Sequence, residues 1–221
     1  MNALNTALQQ TQTTTKETLL SLPHQLKAQL PLSTKLAQQI ADQRQTIQNI
    51  LEGKDHRLMI VTGPCSIHDP ISALEYAQKL QQLQSQVSDQ IFLVMRAYIE
   101  KPRTTIGWKG FLYDPNLDNS SNMQLGLEKS RELYLQIIDM GLPIAAEILS
   151  PMATAYFDDL LAWGAIGART SESQIHREIS SHMPYSIGFK NGTDGSIQIA
   201  LDAIQSASHS HQFMGMSQSG L

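Results

Sequence analysis

The sequence predicts an α/β protein: a (β/α)8 barrel in incomplete form, preceded by an N-terminal helical extension. Three observations carry this expectation. Apolar runs suited to strands recur at 58–62, 91–97, 143–149, 164–168, 186–190 and 212–216. Helix-like stretches lie between them at about 70–87, 121–140, 151–163, 172–182 and 195–207. Most runs also end beside a charged or reactive residue: Cys65, Arg96, Glu147, Arg169 or Lys190. Strands that alternate with helices through short connections lie parallel, with the helices covering the sheet. An open doubly wound sheet is the other possible closure. No Gly-x-Gly-x-x-Gly follows the first run, so its dinucleotide-binding form has no support. In a barrel the carboxyl ends of all strands share one mouth, which would gather those five residues.

Residues 1–16 are polar, rich in Thr and Gln, and read as a disordered tail without the features of a secretory signal. Residues 17–53 form the extension, expected to serve regulation or oligomerisation. Pro23 and Pro31 interrupt its first part. A helix then runs from a Ser33 cap to Leu51, with Leu36, Ile40, Ile47 and Leu51 on one face and Gly53 at its end. The barrel domain occupies 54–221. Five residues follow the sixth run, so the barrel is expected to be a fragment with about six of its eight strands. An open parallel edge and uncovered apolar faces would make it poorly stable alone. The net charge of −4 leaves no basic face for nucleic acid. No apolar run nears the ~20 residues of a membrane span. A single cysteine precludes an internal disulfide and fits a reducing compartment, so a cytoplasmic location is expected.

The densest chemistry lies at 95–110. Arg96, Lys101, Arg103 and Lys109 cluster there with Thr104 and Thr105. Arg forks bind phosphate and carboxylate at two points, and Lys adds a point charge, so the stretch points to a doubly anionic small substrate. The plainer alternative is a solvated loop neutralised by Glu100 and Asp114. The Gly-Trp-Lys-Gly run at 107–110 argues against it. Arg169 follows small residues that let backbone N–H groups approach an anion, and Ser171 or Ser173 is placed to cap the next helix. Lys190 ends an apolar strand, as a Schiff-base or anion-binding residue or as a snorkelling surface cation. Glu147 interrupts a buried strand and must be paired or protonated, with Lys101 its expected partner. His176, His182, His209 and His211 read as surface residues. His68 either shares an ion with Cys65 or caps the loop. Cys65 alone underdetermines a metal site, which needs about three or four protein ligands.

Four motifs together resemble a known family: Gly-Pro-Cys-Ser-Ile-His-Asp-Pro (63–70), Glu-Lys-Pro-Arg-Thr-Thr-Ile-Gly-Trp-Lys-Gly (100–110), Gly-Ala-Ile-Gly-Ala-Arg-Thr (164–170) and Gly-Phe-Lys-Asn-Gly-Thr-Asp-Gly (188–195). They are similar to the type I 3-deoxy-D-arabino-heptulosonate 7-phosphate (DAHP) synthases, from about residue 20 to the last. The resemblance implies a metal-dependent aldol-type condensation of phosphoenolpyruvate with erythrose 4-phosphate, the entry to the shikimate pathway and aromatic amino-acid biosynthesis. It makes Cys65 a ligand of a divalent ion of the Mn, Fe, Co or Zn class. It assigns phosphoenolpyruvate to Arg96, Lys101, Arg169 and Lys190, with Lys101 and Glu147 catalytic near the attacking water. Arg103 and Thr104 would take the phosphate of erythrose 4-phosphate. Further family ligands (a His, a Glu and an Asp) lie past the last residue here, so the chain alone is expected to hold metal poorly and to lack synthase activity. The resemblance also implies a homo-dimer or tetramer and an aromatic amino-acid effector. Two alternatives stand beside it. One is the related 3-deoxy-octulosonate 8-phosphate synthase, which uses arabinose 5-phosphate, and the Lys-Pro-Arg-Thr-Thr segment argues against it. The other is a non-catalytic partner of a complete synthase.

Overall fold

The computed structural model describes residues 17–220; the expectation for residues 1–16 lies outside them. Five parallel strands pair in sequence order: β1 (Leu58–Thr62), β2 (Ile91–Arg96), β3 (Ile144–Glu147), β4 (Trp163–Ile166) and β5 (Ser186–Phe189). Strand neighbours in unbroken chain order, joined by right-sized helical crossovers, are the wall of a barrel rather than a doubly wound sheet. The register runs Thr62↔Met95, Arg96↔Ala145, Glu147↔Ala165 and Ile166↔Phe189, so Arg96, Glu147 and the residues that follow the other strands leave the sheet at its carboxyl end.

Two N-terminal helices, α1 (Pro23–Gln29) and α2 (Thr34–Leu51), precede the sheet. Ser33 Oγ accepts from Leu36 N and caps α2, and Gly53 follows at φ +71°. Ile40 and Ile47 of α2 are buried, whereas Leu51, predicted on the same face, is exposed. Ile47 joins Val94, Ala145 and Ala162 in a small cluster beneath the strands. The polar side chains of α2 bond to carbonyls of the barrel: Gln39 donates to Ile138 O, Gln43 to Gly141 O and Arg44 to Leu161 O. Helix α3 (Pro70–Val87) follows β1, with Asp69 accepting from Ile71 N and Ser72 N. Helix α4 (Met123–Asp139) follows β2 and lays Leu127, Tyr134, Ile137 and Ile138 against the sheet. Its fully buried Arg131 pairs with Asp159 through both terminal guanidinium nitrogens and donates from Nε to Leu30 O, tying α1 to the barrel.

Two expectations are corrected. The helix predicted over 151–163 is a 3-10 turn (Pro151–Ala153) followed by one turn of helix, α5 (Thr154–Phe157). Asp158 and Asp159 engage Lys27, Arg44 and Arg131 there, and β4 begins too soon for a longer helix. The run at 212–216 is not a sixth strand. After α6 (Gln174–Ser180) and α7 (Ile197–Ala207), this run carries Gly215 as its fourth residue and does not pair with β5. Phe213 packs edge-on against His182, with ring centroids 4.9 Å apart, and Gln218 bonds to His24 N and Ala155 O.

Candidate active site

A cavity of about 330 Å³ opens where the strands end, and its walls include Cys65, Arg96, Glu100, Lys101, Arg103, Glu147, Arg169 and Lys190. Residues separated by more than a hundred positions thus meet because five parallel strands deliver their carboxyl ends to one rim. Thr104 joins them through Arg169, whose Nε donates to Thr104 Oγ1 at 3.1 Å. Among the described residues, no carboxylate lies within ion-pair distance of Arg96, Lys101, Arg103, Arg169 or Lys190. Five cations outside any ion pair, facing only the carboxyls of Glu100 and Glu147, leave an excess of positive charge that suits an anionic occupant.

They come from the end of β2 and its following loop, the β4 exit and the β5 exit. Arg96, the last residue of β2, donates to Cys65 O at 2.9 Å and stacks 4.1 Å from the Tyr98 ring centroid. Its buried Nε has no protein partner. A buried guanidinium N–H without an acceptor is costly unless a ligand completes it. Lys190 Nζ stands 5.6 Å over the same Tyr98 ring, so that ring is a shared cation–π platform. Sequence reasoning missed Tyr98; the signal was an aromatic two residues beyond a strand-end Arg. Lys101 Nζ donates to Cys65 Sγ at 2.9 Å. This hydrogen bond, more than any other influence, holds the thiol below its ordinary pKa. The 101–109 loop is closed by Lys101 N to Lys109 O at 2.8 Å and by Arg103 Nε to Trp108 O at 2.7 Å. Trp108 donates in turn to Asp114 O, which is why a Trp sits between the two glycines.

Glu147 is buried, and burial raises its pKa; Lys190, Arg96 and Arg169 oppose the rise. Lys101, its predicted partner, instead donates to Cys65 Sγ, and the cations that act on Glu147 are Lys190, Arg96 and Arg169. A Cβ at Gly167 would collide with Glu147 Oε1, so the small residues before Arg169 make room for that carboxylate. Ser171 is buried; its hydroxyl donates to Lys190 O at 2.7 Å and its backbone N–H to Gly167 O at 3.0 Å, bracing the β4 exit against the β5 exit. Ser173 occupies the cap position of α6 without capping it; its Oγ meets His176 Nδ1 at 2.8 Å. His176 was expected at the surface. It is buried because its second ring nitrogen reaches Leu149 O at 2.9 Å across the loop after β3.

Glu100 differs from the expectation of a neutralising surface charge. It is only 5% exposed, accepting from Tyr113 Oη at 3.2 Å and from Ser150 N at 3.3 Å. Burial pushes its carboxyl up to about 7. His68 is exposed and lines a different surface hollow from Cys65. Among the described residues no three His, Cys, Asp or Glu side chains converge as a metal site. Cys65 is a single potential ligand already bonded to Lys101, so this donor set does not by itself fit a divalent ion.

The family model for the DAHP synthetase I family matches residues 30–220. The chain belongs to this family. The Tyr-sensitive phospho-2-dehydro-3-deoxyheptonate aldolase of Escherichia coli (strain K12) is 52% identical over 206 residues, covering 93% of this chain and 58% of that protein. The Phe-sensitive enzyme of the same strain is 48% identical over 198 residues, 90% of this chain and 57% of the relative. A solved structure of the phospho-2-dehydro-3-deoxyheptonate aldolase from Francisella tularensis SCHU S4 superposes with a TM-score of 0.91 at 48% identity, covering 93% of this chain and 60% of that one. The DAHP synthetase I chain described here therefore spans less than two thirds of each relative's length. Its five-stranded wall is the corresponding part of a (β/α)8 barrel.

Proposed function

We propose that the cavity binds phosphoenolpyruvate as part of a DAHP synthase reaction with erythrose 4-phosphate. The observation that carries the reading is the ring of five unpaired cations, one with an orphaned buried N–H. Arg96, Lys101, Arg169 and Lys190 hold the phosphate and carboxylate of phosphoenolpyruvate. Arg103 and Thr104, further out on the loop, take the phosphate of the aldehyde. In the reaction a carbon–carbon bond forms between the methylene carbon of phosphoenolpyruvate and the aldehyde carbon. Water adds to the former enol carbon, whose phosphate leaves as inorganic phosphate. Glu147, kept among cations and raised by burial, is placed to hold or move a proton of that water. The relatives are named Tyr-, Trp- and Phe-sensitive, which supports an aromatic amino-acid effector as part of the same reading.

Calorimetric titration of residues 1–221 with phosphoenolpyruvate tests the binding. Saturable binding that weakens with salt is expected, and Arg96→Ala or Lys190→Ala should weaken it roughly tenfold or more, the cost of a lost charge-assisted bond. Absence of binding at millimolar ligand would refute the reading. Turnover by this chain is expected to stay below detection even with added divalent metal, since among the described residues only one metal-ligating thiol faces the cavity. Release of inorganic phosphate dependent on both substrates would contradict that expectation.

A further inference from the structure

We infer that Glu100 is a positioning residue that clamps the substrate loop to the end of the neighbouring strand. The inference rests on the reading that the cavity takes phosphoenolpyruvate, and deepens it.

Glu100 immediately precedes Lys101 and sits at the neck of the loop. There the backbone is closed on one side by Leu112 N to Ile99 O at 3.0 Å and on the other by Lys101 N to Lys109 O at 2.8 Å. The neck cannot open without moving Gly110, whose backbone lies against Ile99 O and Glu100. From this point the Glu100 side chain turns inward, away from solvent. One oxygen accepts from Tyr113 Oη at the far end of the loop. The other accepts from Ser150 N, just beyond β3. A single buried carboxyl therefore joins the β2 exit, the return of the loop and the β3 exit that carries Glu147. Lys101 and Arg103 can only be aimed if the neck is fixed, because both lie within three positions of Glu100 on a loop whose other residues are mostly exposed. A carboxylate next to an anion site would normally oppose binding. Here burial lifts Glu100 to about 7, so near neutral pH part of the population carries it uncharged. Its contacts are those of a brace: among the described residues it forms no ion pair with any of the cavity's cations.

Two readouts separate this inference from the binding reading. The first is the rate of tryptic cleavage after Arg103 and Lys109, followed by mass spectrometry, which needs no ligand. The second is the phosphoenolpyruvate dissociation constant. Glu100→Ala is expected to speed cleavage at both sites and weaken binding roughly threefold to tenfold, the scale of one or two lost hydrogen bonds. Glu100→Gln keeps an acceptor for Ser150 N and an amide that can donate to Tyr113 Oη, so it should restore both values to within about twofold of wild type. Tyr113→Phe removes one of the two contacts and should shift both readouts in the same direction by a smaller factor. It stands in if Glu100→Ala does not fold. Cleavage unchanged in Glu100→Ala or, in its place, Tyr113→Phe overturns the inference, as does a Glu100→Gln protein as loose as the alanine variant. If wild type fails to bind phosphoenolpyruvate, the binding reading falls alone, and the cleavage rates still decide the role of Glu100.

Discussion

Lys101 shows how one side chain changes the chemistry of another far away in sequence. Its ammonium lies 2.9 Å from Cys65 Sγ and is the main reason the thiol titrates below its usual value. Lys101→Met should therefore raise the pH midpoint of Cys65 alkylation by iodoacetamide, and an unchanged midpoint would mean that Arg96 and Lys190 suffice. Glu100 makes a prediction of opposite sign. Its folded pKa of about 7 lies above the ordinary carboxyl value of 4.5, so the folded protein binds the proton more tightly than the unfolded chain. That contribution is fully present below about pH 4.5 and is lost as pH rises through about 7. Melting temperatures measured across this window should fall less with pH in Glu100→Gln than in wild type. The sequence marked Glu147 and Lys101 as strand-end candidates, and both line the cavity, but Lys101 is bonded to Cys65 and not to its expected partner Glu147. Adjacent strand ends offer several cations at similar reach, and only the direction of each loop decides between them.

Among the elements, α2 and α3 were legible almost to the residue. Ser33 and Asp69 are capping residues placed one position before helical runs, and local rules of this kind act within a few residues. Strands β1 to β5 were legible for the same reason, as short apolar runs between turn residues. The 212–216 run had a similar composition and failed because a strand also needs an edge that accepts it. Phe213 found His182, and Gln218 found α1 and α5 instead. The role of α2 was not legible, since its importance lies in plugging the base of the sheet with Ile47. Ile47→Ala should cost roughly 2–5 kcal/mol in urea unfolding, the range for truncating a fully buried aliphatic side chain. A loss below about 1 kcal/mol would show that the cluster under the strands collapses to fill the space.

At the scale of the molecule, the described residues leave apolar surface uncovered. Ile197, Leu201 and Ile204 line one face of α7 at exposures of 68%, 53% and 49%, and Leu58 of the edge strand β1 is 64% exposed. A parallel sheet with an unpaired edge and such faces has a strong tendency to associate. Light scattering should show concentration-dependent association of residues 1–221, reduced by Leu201→Lys with Ile204→Lys; a monomer at all concentrations would contradict this. The sequence by itself determined the alternation of strands and helices and which residues stand at each strand end, because periodicity, turns and caps are written in neighbouring residues. Only the tertiary structure decided that Tyr98 carries two cations, that His176 and Glu100 are buried braces, and that the last apolar run stays out of the sheet. Burial and partnership are set by atoms contributed from distant parts of the chain, and no local pattern encodes which of them arrive first at a given polar group.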